Sequence, residues 1–542
     1  MGTPTYSERP RTIRSLIPAR IDRLPWSPFH TRMVIALGTA WVLEGLEITV
    51  ASAVAGTLSE SAALGMSSTQ VGALATVYLV GEVVGALFFG SLADRMGRRK
   101  LFMVTLAVYL TGSGLTALTL GSNIGWLAYM YATRFVAGMG IGGEYSAMHS
   151  AIDELIPARY RGRVDIGISG TYWGGAILGT LGTLLFLNAL PTDVGWRLGF
   201  LLGPVLAIVI LFVRRHLPES PRWQVMHGRE REAEASIAYI EGEVRQSGRK
   251  LANVPADRAI EIHPTTHHGY LALLKVLFSQ YPSRSVLGAS LMITQSFLYN
   301  AIFFTYTLVL TKIYGVAASA APWYLIAFAI GNLTGPLVLG PLFDTVGRRK
   351  MISGTYLLSG LLLAASAWLF YIGVLNATTQ TIMWCVIFFF ASAGASSAYL
   401  TVSELFPVEV RAQAIAVFFA IAQSVGALGP VLYGALIGDG TSRGRLFVGY
   451  LLAALIMCTG AFIELTLGVD AEGRSLEDVT TPLSSAGRAG KAVSESPGLA
   501  AHSAHPPAAR HIDGRPPEYP RRPPRPVHAG RLGRPGRRHG HH

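Results

Sequence analysis

The sequence predicts an all-α membrane protein of twelve transmembrane helices, arranged as two parallel six-helix repeats. Three observations carry this expectation. Of the 542 residues 51% are apolar and only 14% charged, with a mean hydropathy of +0.40, whereas soluble chains carry about a quarter charged residues. Apolar runs long enough to span, each needing ~20 residues, recur along the chain. Two unrelated motifs also reappear at a single offset of 250 residues, which is the mark of a duplicated unit.

The runs fall at about 33–58, 70–92, 101–120, 124–148, 164–188 and 196–215. A second set falls at about 284–311, 321–343, 351–372, 379–402, 411–437 and 445–467. They divide the chain into an N-terminal segment 1–32, a six-helix domain 33–215, a central loop 216–283, a second six-helix domain 284–467 and a tail 468–542. Loops on one side carry Arg95, Arg98–Lys100, Arg159, Arg161, Arg163, Arg214, Arg215, Arg348–Lys350 and Arg411. Opposite loops such as SESAALGMSSTQ and GVLNATTQT carry no Lys or Arg; Arg197, Lys312 and Arg443 stand near span ends. Positive charge is retained in the cytoplasm, so the N-terminal segment, central loop and tail are expected there, in a multi-pass cell-membrane protein. Six is even, so both halves enter the membrane in the same sense and the repeats are parallel.

The segments outside the spans are plain in character. Residues 1–32 are basic, and LIPARIDRLPW is expected at the headgroup level, with Trp26 and the arginines facing lipid phosphates. In the central loop Ala233, Ile237, Ile240 and Val244 recur at helical spacing, which predicts a helix lying on the bundle. From about 485 the chain turns to Ala, Gly, Pro, Arg and His and is expected to be disordered. That tail supplies +8 of the net charge of +13, so the basic balance does not point to nucleic acid. Its seven irregularly spaced histidines are read as a solvated tail and not as a metal site. The two cysteines, Cys385 and Cys458, lie inside apolar runs and imply no disulfide framework.

The repeated motifs lie on the basic side. Gly90-Ser-Leu-Ala-Asp94-Arg95-Met-Gly97-Arg98-Arg99-Lys100 returns as Gly340-Pro-Leu-Phe-Asp344-Thr345-Val-Gly347-Arg348-Arg349-Lys350. Glu154, Pro157 and Arg161 return as Glu404, Pro407 and Arg411. Aspartate suits a helix start, and glycine permits the tight turn between packed helices.

The loop G-x-x-x-D-R-x-G-R-R-K between the second and third spans resembles the signature loop of the major facilitator superfamily. Four further pieces resemble its sugar-porter and metabolite–proton symporter branches: RFVAGMGIGGE (134–144), PESPRW (218–223), SELFP (403–407) and GRSLE (473–477). The match covers about residues 30 to 480. Thr345 departs from the Arg expected in the second copy. The resemblance implies secondary transport of a small polar organic solute, a sugar or organic-acid-like metabolite, by alternating access with proton symport. Facilitation or antiport on the same fold, and a non-transporting nutrient receptor, are the alternatives. It further implies a gating network on the basic side: Asp94, Arg95, Gly97, Arg98, Glu144 and Glu154 in the first half, and Asp344, Gly347, Arg348, Glu404 and Arg411 in the second.

Ionisable groups inside spans are costly, on the order of 3 kcal/mol at a helix centre, so each needs a partner or a wet cavity. The first span carries Glu44 and Glu47 on one face, the second Glu82, and the fourth Arg134 and Glu144. By resemblance Glu47 aligns with the coupling acid of the first span, Glu44 with an earlier acid, and Arg134 with its neutralising partner. Both acids are Glu where Asp is usual. A fixed ion pair between the spans and direct substrate binding by Arg134 are the competing readings.

For the substrate, Gln295 and Asn300 keep the spacing of the sugar porters' seventh-span amides. Thr294 and Tyr299 replace the neighbouring Gln and Gly, and Ala395-Ser-Ser-Ala-Tyr399 replaces Gly-Pro-x-x-Trp in the tenth span. Tyr78, Trp173, Asn332, Tyr399 and Gln423 are further candidates to line a cavity. Gly179-Thr-Leu-Gly182 lacks the Gly-Pro pair of drug antiporters, which tilts the reading toward symport. No nucleotide-binding loop, catalytic constellation or cofactor motif is present, so the expectation is a non-enzyme without cofactor or metal. The expected partners are substrate, protons and lipid bilayer, with the protein a monomer.

Overall fold

The apolar runs fold as long helices that extend past the runs at the basic end. In this computed structural model, residues 13–214, 219–262, 269–406 and 411–469 are described, and all lie within one unit ending at Ala489. A short strand β1 (Ile13–Ser15) and helix α1 (Ile17–Asp22) precede the first half. That half comprises α2 (Pro28–Leu58), α3 (Ser68–Met96), α4 (Arg98–Thr116), α5 (Ile124–Leu155), α6 (Ala158–Ala189) and α7 (Thr192–Arg214). The connection holds α8 (Pro221–Met226), α9 (Glu230–Gln246), β2 (Ile260–Ile262) and α10 (Tyr270–Gln280). The second half comprises α11 (Pro282–Phe303), α12 (Tyr306–Lys312), α13 (Ala321–Thr345), α14 (Arg348–Tyr371), α15 (Ala377–Leu405), α16 (Arg411–Gly426), α17 (Leu428–Ile437) and α18 (Arg443–Leu467). Ten spans among the described residues are long and apolar enough to cross a membrane; α4 is shorter, and α5 carries Arg134 and Glu144.

Two spans expected to be continuous are broken. The seventh divides into α11 and α12 at Phe304–Thr305, and the eleventh into α16 and α17 at Ala427. A broken helix frees backbone carbonyls that must be satisfied inside the protein. Hydroxyls from the other half do this: Ser52 Oγ donates to Phe303 O at 2.5 Å, and Thr76 Oγ1 to Ala427 O at 2.7 Å.

Small residues set the spacing within the first half. A Cβ on Gly138 would stand 2.0 Å from Tyr78 O, and one on Gly142 2.0 Å from Glu82 O. The glycines that follow Arg134 therefore bring α5 into backbone contact with α3 and carry Arg134 beside Tyr78. At the turns into α4 and α14, Gly97 and Gly347 adopt φ +86° and +106°, which favours glycine. Two of the three exceptional cations opposite the basic loops have a shared role. Arg197, at the start of α7, donates to Thr119 O past the end of α4 (Nη2, 2.6 Å), and Arg443, at the start of α18, to Phe370 O near the end of α14 (3.1 Å). Each satisfies a carbonyl at a helix end, in equivalent places of the two repeats.

Helix α9 forms where its spacing predicted it and buries Ala233, Ile237, Ile240 and Val244. The N-terminal segment departs from expectation. Its arginines in the expected headgroup stretch are spent on protein: Arg20 Nε and Nη2 each lie 2.9 Å from the Glu241 carboxylate, and Arg23 pairs with the same group. Trp26 stacks on His30 and meets Tyr160 edge-on. The cause is α9, whose Glu234, Glu241 and Glu243 give Arg20, Arg23 and Arg32 partners on the protein itself. Strands β1 and β2 pair antiparallel, Ile13 opposite Ile262. The tail from residue 470 lies outside the described residues.

Candidate functional site

Glu47 is fully buried, and its carboxylate is held by three donors from two helices, α4 and α5. Tyr109 Oη donates to Oε2 at 2.8 Å, Ser113 Oγ to Oε1 at 2.9 Å, and Arg134 Nη1 pairs with Oε1. The guanidinium of Arg134, 1% exposed, lies under the Tyr78 ring at 4.3 Å and the Phe200 ring at 5.0 Å. Gly203 of α7 closes the shell, since a Cβ there would stand 1.8 Å from Tyr109 Oη. One buried cation faces one buried anion with further hydrogen bonds, the arrangement that makes burial of charge tolerable. Arg134 Nη2 has no hydrogen-bond partner among the described residues.

Glu44, one turn earlier, does not share that shell. Tyr145 Oη of α5 donates to its carboxylate, and it lines a central cavity of about 130 Å³ between the halves. Seven rings wall the cavity: Trp41, Tyr145, Tyr172, Trp173, Tyr299, Phe303 and Tyr399. Gln295, Ser296, Asn300 and Gln423 supply its amides and a hydroxyl. Gln423 Oε1 accepts from Ser296 Oγ at 2.5 Å and from Asn300 Nδ2 at 3.0 Å, while its Nε2 donates to Glu82. No Lys or Arg lines the cavity among the described residues, and Glu44 is its one carboxylate.

The family model described as "Sugar (and other) transporter" matches residues 37–482. The chain belongs to this family. It is similar to the niacin transporter of Acinetobacter baylyi, 25% identical over 85% of this chain and 99% of the relative. It is also similar to the glucose transporter of Staphylococcus epidermidis, 27% identical over 76% of this chain and 89% of the relative. Among solved structures it resembles the major facilitator superfamily proton:xylose symporter bound to 6-bromo-6-deoxy-D-glucose, with TM-score 0.66 and 18% identity over 83% of this chain and 98% of that one. Membership and fold make the chain a membrane-spanning secondary transporter of small solutes on the major facilitator fold.

Five of the expected cavity residues line the cavity: Trp173, Gln295, Asn300, Tyr399 and Gln423. Tyr78 and Asn332 do not. Tyr78 is consumed by Arg134, and Asn332 Oδ1 accepts from Tyr299 Oη at 2.9 Å, so it orients a wall residue from behind. The shared face expected for Glu44 and Glu47 is divided because three residues leave them about 60° apart around the helix, enough to address the cavity and the α4–α5–α7 side separately. Trp41, Tyr145, Tyr172 and Tyr299 were not singled out as wall residues. Each stands within three positions of a residue singled out for some role: Glu44 for coupling, Glu144 for gating, and Trp173 and Asn300 for the cavity. Of the gating set, Gly97 and Gly347 form the turns, and Glu144 and Arg348 are buried. The side chains of Asp94, Arg95, Arg98, Glu154, Asp344, Glu404 and Arg411 lie outside the described residues.

Proposed function

We propose that the protein is a proton symporter of a small, flat, ring-bearing solute. It works as a monomer in the cytoplasmic membrane, with the basic loops and both termini inside. Protonation of Glu47 is its coupling step, and the gating residues steady the basic end when that end is closed. The observation that carries this reading is the closed Glu47–Arg134 shell packed beside a ring-walled cavity. When α5 shifts against α2, Arg134 leaves, and an uncompensated buried carboxylate costs about 3–5 kcal/mol, which a proton relieves. Loading and releasing that proton is thereby tied to the movement.

Seven rings give stacking faces, and the amides give edge hydrogen bonds, which suits a single planar ring with polar substituents. A volume of about 130 Å³ is close to the roughly 150 Å³ of a cavity known to take one benzene ring. With Glu44 the one charged lining group, an uncharged ring meets less repulsion than an anionic one. Niacin, in the name of one relative, is such a planar ring, whereas glucose, in the name of another, is a puckered one.

Proteoliposomes carrying the full chain test this with nicotinamide, nicotinate and glucose under an imposed pH gradient. Accumulation of a ring solute, abolished by a proton ionophore and stronger for nicotinamide than nicotinate, is expected. Uptake that stops at equilibration with the gradient intact makes the protein a facilitator. No exchange of any of the three overturns the ring-solute reading.

A further inference from the structure

Glu82 belongs to no part of the Glu47 shell, yet it is fully buried in α3 at the boundary between the halves. Its Oε2 accepts from Gln423 Nε2 of α16, and its Oε1 has no hydrogen-bond partner among the described residues. Glu82 itself does not line the cavity, but Gln423 does. The carboxylate also determines which way that amide points. An ionised acid accepts only, so Nε2 must face it and Oε1 must face Ser296 and Asn300 of α11. One hydrogen-bonded chain therefore runs from an acid of the first half to the cavity amides of the second.

The chain is sensitive to charge. A hydrogen bond to a carboxylate is roughly twice as strong as one between neutral groups. A proton on Oε1 removes that assistance and adds a donor able to take Gln423 Oε1, which frees the amide to turn. Turning replaces an acceptor with a donor opposite Ser296 and Asn300, so the polar face offered to a solute changes. It also loosens a link that crosses between the halves. The groups that act electrostatically on Glu82 from the elements around it are Tyr78 on α3, Arg134 on α5, Glu44 on α2, Tyr172 on α6 and Tyr399 on α15, and Gln423 on α16 is its hydrogen-bond partner. Only Arg134 among them is a cation, and its bonded partner is Glu47.

We propose that Glu82 is a second proton-exchanging carboxylate of the cycle, a positioning residue whose charge sets the orientation of Gln423 and the grip between the halves. This rests on the alternating-access reading above, but its test needs no substrate. Spin labels on cysteines replacing Ser61 and Ala317, one in each half at the end opposite the basic loops, report the inter-half distance in proteoliposomes against pH. The background carries Cys385→Ala and Cys458→Ala. Two pH steps are expected in the parent protein: Glu47→Gln removes one, and Glu82→Gln removes the other. Gln423→Leu, which leaves Glu82 intact but partnerless, is expected to displace the Glu82 step and leave the Glu47 step in place. Glu82→Gln with the parent's pH profile overturns the proposal, as does a parent distance that does not respond to pH. A failed uptake assay with normal pH steps counts against the ring-solute reading alone.

Discussion

Glu47 shows how a single residue can be legible in a sequence while its surroundings are not. An acid in an apolar run is costly enough to advertise itself, and Arg134 in the fourth span supplied the obvious partner. Tyr109, Ser113 and Gly203, which complete the shell, carried no such signal because Tyr, Ser and Gly inside spans are ordinary packing residues. The same reason hid Trp41 and Tyr145: a ring in an apolar helix reads as core until a cavity is seen beside it. Glu47→Gln keeps the shape and removes the charge. Accumulation driven by a pH gradient should be lost while substrate exchange survives, measured in the same vesicles; wild-type accumulation would rule Glu47 out as the proton site. Gly203→Ala probes the shell from outside, since its new methyl meets Tyr109 Oη at 1.8 Å and Glu47 Oε2 at 2.8 Å. The phenol must move off the carboxylate, so coupling ratio should fall at preserved expression, and Gly203→Ala combined with Tyr109→Phe should restore part of the packing but not the hydrogen bond.

At the scale of elements, periodicity found α9 and the spans, but it could not say what an exposed-looking cation would meet. The arginines of the N-terminal segment were expected at lipid, and three acids on α9 take Arg20, Arg23 and Arg32 instead. Burial alone would push the Glu241 carboxyl up; the guanidiniums of Arg20 and Arg23 outweigh it and hold the group below its usual range. A depressed carboxyl contributes stability above its unfolded value of about 4.3, and loses it as pH falls through the folded value. Docking of α1 on α9 should therefore hold at pH 7 and weaken below about pH 4, seen as rising mobility of a spin label at Arg14. Glu241→Gln should free the label already at pH 7. The α3–α5 crossing makes a separate demand. A methyl at Gly142 meets Glu82 O at 2.0 Å, backbone that cannot step aside, and overpacking of this kind costs about 1–3 kcal/mol. Gly142→Ala should lower the melting temperature, whereas Gly167→Ala, with open space around it, should not.

Across the whole molecule the repeat was visible as an offset of 250 residues, but the chemistry does not follow the repeat. At that offset Phe297 stands for Glu47 and Trp384 for Arg134, so the ion pair is confined to the first half and the amides Gln295, Asn300 and Gln423 to the second. Division of labour of this kind requires the halves to communicate, and the breaks in the seventh and eleventh spans lie where they meet. Neither break was legible beforehand, because the carbonyls they free are satisfied by hydroxyls some 250 or 350 residues away in sequence. The seal opposite the basic loops is built from such contacts: Ser52 Oγ on Phe303 O, Thr307 Oγ1 on Ser52 O at 2.5 Å, and Ser68 Oγ on Gly438 O at 2.8 Å. If transport proceeds by rocking the halves, this seal must open once per cycle. Cysteines at Ser52 and Thr307, in a background with Cys385→Ala and Cys458→Ala, place two thiols where that opening occurs. Oxidation should abolish uptake, and reduction should restore it in the same vesicles. A cross-linked protein that still transports at the uncross-linked rate would mean that the solute does not pass between α2 and α12, and that the halves do not separate there.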